Sequence, residues 1–133
     1  MTAGESPSDV SRLEVGLDDT VVAPAAARDA ADGWLAAQGV DDEVRHDVLL
    51  AISELVTNAI THARSAPTLA LTLQPDCLRV EVTDRSAHAP RLRPQADATG
   101  GFGLRLVGQV TDRWGWSPIA GGKAVWAEFQ LTR

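Results

Sequence analysis

The sequence predicts an α+β fold: a two-layer α/β sandwich, a mixed sheet with helices packed on one of its faces. Three observations carry this. Two apolar-periodic helical segments occupy most of the stretch from Ala25 to Ala63. Leu69, Leu71 and Leu73 share one parity, Leu78, Val80 and Val82 share another, and Gln74-Pro75-Asp76-Cys77 between them has the chemistry of a hairpin turn. Two more strand-like runs, Arg113 to Pro118 and Lys123 to Leu131, meet across Gly121-Gly122.

Taken in order, residues 1–10 are polar and acidic and read as a disordered leader, which leaves 11–133 as one domain. Arg12 to Leu17 alternates polar and apolar, as a half-buried strand does. Pro24 suits a first helical turn, Ala25 to Gln38 follows with Trp34 and Leu35 as bulky anchors, and Gly39 is the stop. Asp41 or Asp42 can cap a second helix reaching to Ala63, with Val44, Val48, Ile52, Leu55, Ala59 and Ala63 as its apolar stripe. After the hairpin, Arg85 to Gly100 has no periodicity; a loop of about 16 residues in a small domain reads as a functional lid or a disordered segment. Leu104 to Val110 then reads as a short helix.

Composition excludes several function classes. The chain has 133 residues, with 12 Lys and Arg against 18 Asp and Glu, a net charge of −6. Binding to the nucleic-acid backbone needs the opposite sign, so no nucleic-acid partner is expected. No apolar run approaches the roughly 18 residues of a membrane span, and no signal peptide opens the chain, so a cytoplasmic protein without membrane contact is expected. Cys77 is the single cysteine, which leaves no disulfide and no cysteine-rich metal site. The use of Ala and Arg, with Lys123 the only lysine, points to a GC-rich bacterial genome.

The candidate chemistry lies in three places. Glu54 and Asn58 are four residues apart, so a helix projects both from one face, a carboxylate base beside a neutral oxygen ligand. Asp84 shares parity with Leu78, Val80 and Val82; a continuing strand aims its carboxylate at the apolar face, where it must meet a specific donor. A strand that ends there instead makes Asp84 the start of an Asx turn with Ser86. Gly100-Gly101-Phe102-Gly103-Leu104 opens the short helix, and glycines at a helix start let backbone N–H groups approach phosphate oxygens. The same glycines also fit a tight loop, and Glu54 and Asn58 also fit a solvated helix face.

The order of these elements resembles the GHKL ATPase superfamily, the Bergerat fold shared by gyrase and sensor histidine kinases. Within it the sequence looks most like the anti-sigma-factor serine kinases of the RsbW type. Glu54-Leu-Val-Thr-Asn58-Ala-Ile-Thr-His62-Ala63 matches their N-box, Val80-Glu-Val-Thr-Asp84-Arg-Ser86 the G1 box, and Gly101-Phe-Gly103-Leu104-Arg-Leu-Val107 the G2 box. The resemblance implies ATP and Mg²⁺ as cofactors. Asn58 would coordinate the metal and Asp84 would accept the adenine amino group. Gly101 and Gly103 would donate N–H groups to phosphates, with Leu104 and Arg105 as further nucleotide-binding residues. Glu54 would be the base toward a serine hydroxyl of an anti-sigma-factor antagonist with a STAS domain. A sigma factor and a second copy, making a homodimer, are the other implied partners. Two departures stand out: Ser86 and His88 fill positions where the G1 box has glycine, and any phosphate clamp must come from Arg91, Arg93 or Arg105. A module that binds ATP and sequesters its partner without phosphorylating it is the alternative.

Overall fold

Three helices and five strands form in the computed structural model, which describes residues 10–63, 65–86 and 104–131. The strands are β1 (Ser11–Gly16), β2 (Thr68–Gln74), β3 (Cys77–Asp84), β4 (Arg113–Ile119) and β5 (Gly122–Gln130). The helices are α1 (Ala23–Ala37), α2 (Asp42–Asn58) and α3 (Leu104–Val110). One sheet holds all five strands in the order β1-β2-β3-β5-β4. The expected two-layer α+β sandwich is therefore present, but the sheet is antiparallel at every pairing rather than mixed. Two helices separate β1 from β2, so the chain returns to the end where β1 finished and must run back. The strands β3 and β4 do share a direction, and β5 turns back from β4 to lie between them.

Alternation in the sequence becomes rows across the sheet. Leu13, Leu71, Val80, Ala127 and Trp114 align in one row, and Val15, Leu69, Val82, Val125 and Trp116 in the next. These rows face the helices. Leu69, Leu71, Leu78, Val80, Val82, Ala127 and Phe129 are buried there against Val48, Ile52, Leu55 and Val56 of α2. Four small or branched residues of α1, Ala23, Ala27, Ala31 and Leu35, recur every four positions and bury the matching face of that helix. Their small size lets α1 lie close to α2, where Arg28 donates to Ser53 Oγ at 2.8 Å and Arg45 reaches Asp32 at 3.1 Å. No helix among the described residues is long and apolar enough to cross a membrane.

Helix ends follow local chemistry. Pro24 sits in the first turn of α1, where its missing N–H costs nothing. Gly39 takes φ +82° just past its C-terminus, and the N–H groups of Gly39 and Val40 close back on the Ala36 and Leu35 carbonyls. The second helix does reach Ala63, but its last five residues, Ala59–Ala63, widen into a π turn. At the other end of the sheet Gly122 is required by close approach: a Cβ there would overlap the Asp84 carbonyl oxygen and crowd Arg85 Cα.

The outer face of the sheet is held by charge. Glu128 accepts from Arg79 at 2.8 Å and from Arg113 at 2.6 Å, and the Arg79 guanidinium lies 4.5 Å from the Trp126 ring centroid. Hydrogen bonding from Arg113, and then from Arg79, holds the Glu128 carboxyl below its ordinary value of 4.5 against the opposing effect of burial. Trp34 and Trp114 flank the core, while Trp126 stacks under arginine on the opposite face.

Two outcomes test this description. A depressed Glu128 pKa stabilises the fold above the ordinary value and ceases to do so as pH falls through the folded one. Thermal unfolding followed downward from about pH 6 should therefore show an acid-linked loss that Glu128→Gln reduces. Gly122→Ala should destabilise by about 1–3 kcal/mol, as overpacking does, read as a lower urea midpoint with unchanged slope.

Candidate functional site

The last positions of the apolar rows carry charge. Asp84 ends β3 with the parity of Val80 and Val82, and its register partner on β5 is Lys123, which shares parity with Val125, Ala127 and Phe129. Both side chains thus turn toward the helices, and both are buried, Asp84 at 6% and Lys123 at 4% exposure. Lys123 Nζ lies 3.1 Å from Asp84 Oδ1 and 3.0 Å from Oδ2. The Ser86 N–H donates to Oδ1 at 2.8 Å. Asp84 therefore fulfils both sequence readings: it points to the apolar face, and it opens an Asx turn with Ser86. A carboxylate in that position needs a donor, and Lys123 supplies it. Removing either partner of such a buried pair costs about 3–5 kcal/mol, because the other charge is left without compensation.

Helix α2 brings the amide to this pair. Leu55 and Ala59 are buried one turn apart, and Asn58, half-buried between them in sequence, lines a cavity with both. The remaining walls are Val82, Val125, Asp84 and Lys123. The cavity measures ≈ 10 Å³, room for the centre of a single water. Ala59, where α2 gives way to the π turn, is part of its lining. Asn58 and Asp84, 26 positions apart in the sequence, thus line the same cavity.

The other expected residues stand differently. Glu54 is half-buried one turn back along α2 and is not among the described residues that line the cavity. Gly101 and Gly103 lie outside the described residues, as do the side chains of Leu104 and Arg105 and the segment carrying His88, Arg91 and Arg93. No group of three or more His, Cys, Asp or Glu able to hold a metal occurs among the described residues. Cys77 is held above its ordinary thiol value by burial and by the nearby Glu128 and Asp76 carboxylates, which agrees with an unreactive thiol.

The sequence reading leaves Lys123 out of the site. The signal for it is nonetheless in the sequence: four residues of one parity, Lys123, Val125, Ala127 and Phe129, put the only lysine on the inward face of a strand. Only the register shows which carboxylate it meets.

Comparison with known proteins is consistent with this geometry. The solved structure of the RsbU and RsbW domains of Rv1364c from Mycobacterium tuberculosis superposes with a TM-score of 0.73 and 26% identity. That match covers 92% of this chain and 33% of the other, so the chain spans about a third of that protein's length. The SiaB-SiaC complex from Pseudomonas aeruginosa shares the fold, with a TM-score of 0.67 at 14% identity, covering 95% of this chain and 93% of the other. A search of curated proteins returns no match. The family model of the histidine kinase-like ATPase domain matches residues 18–129, which contain α2, the hairpin and all but the last residue of the strand bearing Lys123. The chain belongs to the histidine kinase-like ATPase domain family.

Proposed function

We propose that the chain binds Mg-ATP in the recess between the end of α2 and the ends of β3 and β5, and acts there as an anti-sigma-factor serine kinase. The observation that carries the nucleotide reading is that Asn58 and Asp84 line one cavity. The likeness to an RsbW domain supports the kinase branch, and the SiaB-SiaC complex supports a protein partner for this fold. The partner in this reading is a STAS-type antagonist, with a sigma factor as the second client and a homodimer as the working form.

The reading gives each residue a role. Asp84 accepts the amino group of the base. Asn58 offers its side-chain oxygen to Mg²⁺, an ion that keeps most of its waters and is carried largely by phosphates; the lack of an acidic cage among the described residues fits that habit. When bound, the ion neutralises charge building on the phosphates. Gly101 and Gly103 donate backbone N–H groups to phosphate oxygens, with Leu104 and Arg105 beside them. Glu54, one helical turn from Asn58, takes the proton of the serine hydroxyl as its oxygen bonds to the γ-phosphorus and the bond to the ADP oxygen breaks.

A second reading has its own support. Ser86 stands where the resembled motif has glycine, and Lys123 already engages Asp84. These favour a module that holds its partner without transferring phosphate.

Mg-ATP at 100 times its dissociation constant should stabilise the fold by about 2.7 kcal/mol, read as a raised Tm; no shift at millimolar Mg-ATP removes the nucleotide reading. Glu54→Gln should lower transfer to the antagonist by roughly 10²–10⁴-fold while ATP affinity changes little. Wild-type protein that binds both ATP and antagonist yet transfers nothing decides for the sequestering module.

A further inference from the structure

The acceptor assigned to the nucleobase is already in use. Lys123 Nζ sits nearly equidistant from the two Asp84 oxygens, at 3.1 and 3.0 Å, and the Ser86 N–H takes a further position on Oδ1. The Lys123 side chain is 5% exposed and lines a cavity together with Val125 and Asp84. Among the described residues, the cavity lined by both Asp84 and Lys123 measures ≈ 10 Å³, far too small for a base. An adenine amino group is a neutral donor, whereas the ammonium it must displace is a charged one, and charge-assisted hydrogen bonds are roughly twice as strong. The base therefore enters only as Lys123 leaves.

We propose that Lys123 competes with the nucleobase for Asp84, closing the base pocket in the empty protein and setting the affinity for nucleotide. This inference rests on the nucleotide reading of the site and adds a specificity-determining residue to it. It follows that nucleotide binding and release are coupled to movement of one side chain across a β3–β5 register pair. It also follows that an uncharged, short residue at position 123 leaves Asp84 free for a neutral donor.

Calorimetric titration with Mg-ATP of wild type and Lys123→Thr tests this. The variant should bind at least about tenfold tighter even though its fold is less stable. If wild type binds and Lys123→Thr binds equally or more weakly, Lys123 does not compete and the inference fails while the nucleotide site stands. If neither binds at millimolar Mg-ATP, the inference and the nucleotide reading both fall. Should the variant not fold, wild type still decides, because Lys123 is the only lysine and selective ¹³C-lysine labelling gives a single side-chain resonance. Saturating Mg-ATP, with saturation confirmed by the Tm, should move that resonance to the position of a solvated, mobile lysine. An unchanged resonance at saturation overturns the proposal.

Discussion

The site depends on a pair of opposite charges placed at the end of an otherwise apolar face. Asp84 and Lys123 continue the inward rows of β3 and β5 beyond Val82 and Val125, and each is buried because the other is there. Taking two charges out of water is costly, and their mutual attraction repays this only with good geometry and further hydrogen bonds. Here the ammonium spans both carboxylate oxygens and the Ser86 N–H adds a third donor. The close pass of Gly122 against the Asp84 backbone belongs to the same arrangement, since a side chain at 122 would push the two strand ends apart. An apolar pair of similar volume could fill the space, but it would offer no polar partner to anything that entered.

Helix α2 serves core and site with the same turns. Val48, Ile52, Leu55 and Val56 are buried against the sheet, while Asn58 faces the polar end of it. The change to a π turn at Ala59 directly follows that residue, and such turns recur at functional positions because they re-aim neighbouring side chains. A site built this way is as rigid as the core behind it. Movement at the cavity must come from side chains, because Leu71, Leu78 and Val80 of the sheet are fully buried. The charged outer face, where Glu128 holds two arginines around Trp126, stiffens β3, β5 and β4 from the other side.

Much of this was determined by the sequence alone. Periodicity places α1, α2 and the hairpin within a few residues of where they form, because an amphipathic segment has one way to bury its apolar face. Asn58 and Asp84 were legible as candidates because local geometry, one helix face and one strand parity, decides where they point. The antiparallel sheet, with β5 inserted between β3 and β4, was not legible: alternation says which face a strand buries, never which neighbour it pairs with. For the same reason Lys123 is not legible as a site residue. Its inward parity is written in the sequence, but its partner lies 39 positions away and is fixed only by the β3–β5 register. The tertiary structure decided that the buried Lys123 meets the buried Asp84, since an ion pair forms through space between strands that the chain connects only distantly.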